Sequence, residues 1–119
     1  MKKLIVGVSD KVIMPWLEGK EYMGCSDEGE AIGIAGGYWL ATGKRATVFM
    51  SADGFMNCMN AITSWVMPEN IEMDLVISIG REEPPHIVAT RTVEPIIELL
   101  QQNGLETKRV SIEFVLKQS

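Results

Sequence analysis

Four short polar stretches of this 119-residue sequence carry side chains that could move protons or hold an anion together. They are Ser9-Asp10, Ser26-Asp27-Glu28, Ser51-Ala52-Asp53-Gly54 and the run Gly80-Arg81-Glu82-Glu83-Pro84-Pro85-His86. Ser26 or Asp27 can cap a helix by accepting a hydrogen bond from a free backbone N–H of its first turn. Glu28 then lies in that turn, at the positive end of the helix dipole. His86 is the single histidine, the side-chain type whose reference pKa lies nearest neutrality. Asp10 can cap a helix of its own, and Lys11 and Arg81 are cations next to these groups. Each has a plainer reading beside the chemical one: an exposed first-turn acid, a solvated loop histidine, an N-cap, surface charge.

Several familiar chemistries are excluded. Ser, His and Asp all occur in these stretches, but a hydrolytic triad is defined by geometry and not by occurrence, and no G-x-S-x-G elbow is present. No G-x-x-x-x-G-K-[ST] or G-x-G-x-x-G phosphate loop follows the first apolar run, and GIAGG at 33–37 falls inside a helical pattern. Cys25, Cys58 and His86 are too few for a zinc site of the usual kind, and no C-x-x-C occurs, so both thiols are expected to be reduced and buried. A net charge of −5 with scattered Lys and Arg opposes a nucleic-acid partner. No apolar run approaches the roughly 20 residues that a membrane helix needs.

The polar stretches must be held by the elements around them. Residues 4–8 read as a strand buried on both faces, and the five-residue apolar core of the N-terminus is too short for a signal peptide, so a cytoplasmic protein is expected. Asp10 then caps a helix to Leu17 in which Pro15 forces a late start or a kink. A second strand is expected at 22–25, a helix from about Glu28 to Ala41 stopped by Thr42-Gly43, and a third strand at 46–50. The Ser51-Ala52-Asp53-Gly54 stretch reads as a turn, 55–66 as a helix closed by Pro68, and 74–79 as a β-branched strand. Val93, Ile96, Ile97 and Leu100 fall at i, i+3, i+4 and i+7 of an amphipathic helix ended by Gly104, and 107–116 is a last strand. Strand and helix alternate with no hairpin signal, which predicts one α/β domain over 1–119, three layers, with a mostly parallel sheet of five or six strands. In such a sheet the four polar stretches all fall at the carboxyl ends of strands, where ligands bind. Gly29, Gly33, Gly36 and Gly37 each cost their helix about 1 kcal/mol relative to alanine, so a neighbouring helix, a second subunit or a flat cofactor should approach it closely. Met50, Met56, Met59 and Met67 suit either an interface or ordinary core filling.

The particular strings at these positions resemble a family. GVSDKVIMPWL (7–17) is similar to the GVPDSLLKPF opening of phosphonopyruvate and sulfopyruvate decarboxylases. DEGEAIGIAGGYWLATGK (27–44) resembles their NEGNAIGLAAGYHLATGK, and SADGFMNCMNAITS (51–64) resembles QNSGLGNAVNPLTS. GREEPPHIVATRTVEPIIELLQQNG (80–104) is similar to GEPQHVKQG and the helix after it. The resemblance covers nearly the whole chain in order, most specifically in its second block. It points to the pyrimidine-binding (PYR) domain of thiamine diphosphate enzymes.

That resemblance implies roles. Glu28 matches the glutamate that hydrogen-bonds N1′ of the aminopyrimidine and favours the imino tautomer, which removes the C2 proton. A carboxyl used this way is helped by burial, which outweighs a dipole effect of about 1 kcal/mol once a partner covers the site. Gly54, Phe55 and Asn57 fall in the cofactor-binding block, and Asn57 with Asn60, three apart on one expected helix face, could bond across a subunit boundary or simply cap. His86 would face the substrate as proton donor or carboxylate binder, Asp10 would be a second proton handler, and Lys11 and Arg81 would bind a sulfonate or phosphonate. The family's GVPDS reads GVSDK here, a change that bears on the substrate more than on the cofactor. The family's GDG with a distant Asn, which holds magnesium (Mg2+) and diphosphate, is not in the sequence, so a PP-domain beta-type subunit is expected to supply it. The expected function is the alpha-type subunit of a split, hetero-oligomeric thiamine diphosphate-dependent 2-oxoacid decarboxylase, most like sulfopyruvate decarboxylase. Phosphonopyruvate or another 2-oxoacid is the alternative substrate, and a non-catalytic PYR-like structural or regulatory subunit is the alternative of another class.

Overall fold

Short β-branched runs alternate with helical segments and build one five-stranded sheet in which every neighbouring pair is parallel. The structure, a computed structural model, describes residues 3–80 and 84–117. Strands β1 (Ile5–Gly7), β2 (Met23–Gly24), β3 (Thr47–Ser51), β4 (Met73–Ile79) and β5 (Val110–Leu116) lie in the order β2-β1-β3-β4-β5. The chain leaves β1 toward one edge and returns to build the other, so the strand order switches between β1 and β3. The α/β class and the parallel sheet are those expected from the alternation.

Helices α1 (Met14–Leu17), α2 (Glu28–Thr42), α3 (Ala52–Met56), α4 (Met59–Ala61) and α5 (Ile87–Gln102) connect the strands. Right-handed crossovers put α1 on one face and the others on the opposite face. Strand side chains alternate between those faces, and the packing divides accordingly. Val6, Val48, Met50, Leu75 and Ile77 join Ala31, Ile32, Phe55, Val93 and Ile97 in a large core. Phe49 and Val76 point the other way, under Ile13 and Leu17. The three layers are therefore unequal, with one helical turn on the thin side. Among the described residues no helix is long and apolar enough to cross a membrane.

Several boundaries differ from the expected ones for local reasons. Helix α1 takes the late start that Pro15 demanded, with the proline in its first turn, where no intrahelical N–H is needed. The Ser51-Gly54 stretch is not a turn: Ser51 Oγ accepts from Gly54 N at 3.1 Å, which makes Ser51 an N-cap and starts α3 at Ala52. The single helix expected over 55–66 is three pieces, α3, α4 and a π-helical turn at Ile62–Val66. Residues 107–109 close a turn, with Arg109 N and Val110 N both bonded to Glu106 O, and β5 begins only after it. Helix α2 stops at Gly43, whose φ of 70° suits glycine.

The amino ends of the strands are tied by charge. Arg45 donates to Asp74 Oδ1 from Nη2 at 2.7 Å and to Glu72 Oε1 from Nη1 at 3.1 Å. It also reaches the carbonyls of Lys108 (2.7 Å) and Met73 (3.2 Å). Lys3 Nζ lies 2.6 Å from Asp74 Oδ2, and Ser111 Oγ donates to Asp74 Oδ1 at 2.7 Å. Burial pushes the Asp74 carboxyl up, but the bonds from Lys3, Ser111 and Arg45 outweigh it and hold the group below its ordinary range.

One interior glycine is explained within the chain. A Cβ on Gly36 would fall 2.4 Å from Cη2 of Trp65, so the indole of the π-helical turn lies on bare α2 backbone. Gly33 and Gly37 are exposed, and a Cβ there would meet nothing within 4 Å.

Candidate functional site

The site starts at the α2 N-terminus. Asp27 is the N-cap, its Oδ1 accepting from Gly29 N at 2.5 Å and Glu30 N at 3.3 Å. Glu30 Oε1 accepts from Ser26 N at 3.2 Å in return, a near relative of the capping box. These bonds fix Glu28 as the first residue of the helix. Its carboxyl is laid over the first turn of α3: a Cβ on Gly54 would lie 2.5 Å from Glu28 Oε2 and 2.6 Å from its Cγ, so a side chain there would displace the carboxyl. Asn57, at the C-cap of α3, donates from Nδ2 to Glu28 Oε1 at 3.1 Å. Three residues from two distant segments thus meet, and Glu28 Oε2 has no hydrogen-bond partner among the described residues.

The same short helix collects a second group. Asp53 Oδ2 pairs with His86 Nδ1, the histidine standing immediately before α5. Asp53 and Gly54 are consecutive, so Glu28 and His86 meet neighbouring residues of one helical turn. Asp53 escaped the sequence reading as a site residue, where it counted only as part of an expected turn. An acid just after a helix-capping serine was the one available signal.

The other expected site residues are placed as follows. Asp10 accepts from Ile13 N at 2.8 Å and, through both carboxylate oxygens, from Ser78 Oγ at 3.1 Å. Ser78 is a β4 residue only 2% exposed, so these bonds anchor Asp10 to the sheet; it is not the expected cap of α1, whose N-cap is Ile13 with no side-chain bond, because the helix starts late. Among the described residues Asp10 bonds to none of Glu28, Asn57, Asp53 and His86. Lys11 is exposed on the turn that follows. Arg81 lies outside the described residues. Phe55 shares the α3 turn, but its side chain is 0% exposed in the large core and props that turn from beneath. Asn60 is not on one helix face with Asn57, because α3 ends before α4 begins; it accepts from Ser64 Oγ at 3.0 Å. The four methionines pack in or against the large core.

Both thiols are held toward the protonated form, and only Cys58 is fully buried, Cys25 being half-buried where burial of both was expected. Burial, reinforced by the charges of Glu28 and Asp27, pushes the Cys58 thiol up to about 12. Its Sγ lies 3.5 Å from Gly54 O, directly under the site. Burial first, then Glu30 and Asp27, raises the half-buried Cys25 as well. Both are free of disulfides, as expected.

Glu28, Gly54 and Asn57 do not line two grooves found elsewhere on the surface. One of about 760 Å³, bounded by Lys3, Leu4, Tyr22, Met23 and Tyr38, lies beside β2, and another of about 370 Å³ lies between α5 and β5. In the Glu28 cluster Glu28 is half-buried, Gly54 buried and Asn57 exposed. Among the described residues no group of three or more metal-ligating side chains gathers. Scanned against protein-family models the sequence gives no match, and a search of curated proteins gives none either.

Proposed function

We propose that this chain is the pyrimidine-binding, alpha-type subunit of a split thiamine diphosphate-dependent 2-oxoacid decarboxylase, with sulfopyruvate as substrate and sulfoacetaldehyde and carbon dioxide as products. One observation carries the reading: Glu28 from one block of the resemblance is in contact with Gly54 and Asn57 from another. The donor set fits an aminopyrimidine. Glu28 Oε1 is already held by the Asn57 amide, Oε2 remains for a ring nitrogen, and Gly54 offers bare backbone beneath both. Thiamine diphosphate, when bound, supplies the electron sink that loss of carbon dioxide from a 2-oxoacid requires. Glu28 holds or releases a proton at Oε2, and Asn57 keeps the carboxyl from rotating away. His86, paired with Asp53 next to Gly54, stands at the same edge to meet a substrate there. Lys11 and Arg81 are the cations assigned to the substrate anion. Magnesium and the diphosphate fall to a PP-domain partner, in a cytoplasmic hetero-oligomer. Phosphonopyruvate or another 2-oxoacid remains the alternative substrate.

The test is Glu28→Gln in the complex of this chain with its partner. Decarboxylation should fall by roughly 10²–10⁴-fold, the range for loss of a positioned proton-transfer group. Near-normal activity would instead identify a non-catalytic PYR-like structural or regulatory subunit. Decarboxylation of sulfopyruvate by the purified wild-type chain alone, given cofactor and magnesium, would refute the division of the site between two chains.

A further inference from the structure

We propose that Asp53 is a positioning residue for His86: by accepting the Nδ1 proton it holds the imidazole as the Nδ1–H tautomer and turns Nε2 into the proton-accepting atom of the site. The contact that carries this is the pairing of Asp53 Oδ2 with His86 Nδ1. Which ring nitrogen of a histidine carries the proton is set by the bond the other nitrogen makes. A carboxylate accepts only, so it selects the tautomer that can donate to it.

Both partners are fixed from below. Asp53 lies in the first turn of α3, whose start is set by the bond from Gly54 N to Ser51 Oγ. His86 directly precedes α5, and α3 packs against α5. Ala52 and Phe55 from α3 share the large core with Ala89 and Val93 from α5, so neither backbone can drift without opening that core. The side chains themselves remain partly open, 25% exposed for His86 and 37% for Asp53. The pair is therefore rigid in placement and still reachable.

Its location gives it a use. Gly54, the residue after Asp53, carries the Glu28 carboxyl, so two proton-handling groups contact consecutive residues of one turn, each oriented by a neighbour, Glu28 by Asn57 and His86 by Asp53. In this role neutral His86 takes a proton at Nε2 and the protonated ring gives it back, with Asp53 holding Nδ1–H in both states. The purpose of that proton rests on the function proposed above; the tautomer does not.

Because His86 is the single histidine, two-bond ¹H–¹⁵N correlation on uniformly ¹⁵N-labelled chain reports one ring without assignment. At about pH 9, above the ordinary imidazole range, the spectrum should show protonated Nδ1 and unprotonated Nε2. Asp53→Asn, whose amide can donate to Nδ1, should flip the ring to Nε2–H. A wild-type ring in the Nε2–H form overturns the proposal, as does an unchanged pattern in a folded Asp53→Asn chain; if that variant does not fold, the wild-type spectrum decides. In the assembled complex, Asp53→Asn should lower kcat about tenfold or more with KM changed less than about twofold. A flipped tautomer with full kcat would remove the proton role from His86. An active Glu28→Gln complex would remove the decarboxylase reading and leave the tautomer result standing.

Discussion

The two ends of the sheet treat their acids in opposite ways. At the amino ends of the strands, Asp74 and Glu72 are met by Arg45, Lys3 and Arg109, at distances from 2.6 to 3.8 Å. At the carboxyl ends, Asp10, Asp27, Glu28 and Asp53 take their bonds from backbone N–H groups, the Ser78 hydroxyl, the Asn57 amide and the His86 imidazole. Among the described residues no lysine or arginine lies within ion-pair distance of those four. A carboxylate matched by guanidinium keeps its charge and its place, and so serves as a clasp. One held by neutral donors keeps its place without a cation beside it, and at Glu28 it leaves Oε2 unbonded among the described residues. Position on the strand is equal at the two ends, and the partner chosen makes the difference.

The sharpest way to break this comparison is to exchange the losses. Arg45→Met takes one cation from Asp74 and Glu72 and its bonds from the Lys108 and Met73 carbonyls, and should destabilise the chain by about 2–3 kcal/mol, read from urea unfolding. Glu28→Gln should move the same midpoint by no more than about 0.5 kcal/mol. Equal destabilisation by the two variants would erase the distinction. The clasp also has a pH signature. The Asp74 carboxyl is held below its ordinary value of 3.8, so its contribution is fully present above that value and is lost as pH falls through the lowered one. In Arg45→Met that acid-side loss should be smaller and be complete at a higher pH, because only the lower end of the window moves.

Smaller effects sharpen the picture within α2. Gly36→Ala places a methyl against Trp65 and should cost about 1 kcal/mol, with a shift in tryptophan fluorescence as the ring moves. No cost and no spectral change would mean that the indole does not rest on this backbone. Gly33→Ala and Gly37→Ala meet open space and should each stabilise the isolated chain by up to about 1 kcal/mol. Measured in the assembled complex, the same two changes should lose that gain where a partner rests on this face of α2, and should keep it where none does.

The strands and their order of appearance were legible because parallel, doubly covered strands are nearly continuous β-branched runs, as residues 74–79 are. The start of α3 was not, because Ser, Asp and Gly signal both a turn and a helix cap, and only the Ser51–Gly54 hydrogen bond decides between them. The π-helical turn was hidden because it departs from a 3.6 period without changing residue type. That Glu28 belongs with Gly54 and Asn57 could be read only from the family resemblance, since nothing local joins segments so far apart. The Asp53–His86 pair could not be read at all: the topology says that both loops lie on one edge, but not which side chains meet there. Asp10 was open to two readings, helix cap or proton handler; its bonds go to Ile13 N and Ser78 Oγ, and α1 begins too late for it to be the N-cap.

An all-parallel sheet also governs how this chain can assemble. No two of its strands can pair as a hairpin, and even the partners closest in sequence, Val6 and Met23, are separated by the whole of α1. Every rung of the ladder therefore requires a crossover to be traversed first, with the loop-closure entropy paid before any strand contact is gained. Folding must run through helix–strand packing on the thick side, and the two-residue strand β2, with a single neighbour, has the least to hold it early. The edge that carries Glu28 comes next in the chain after that strand, so the loop feeding the site is completed only as its weakest rung closes.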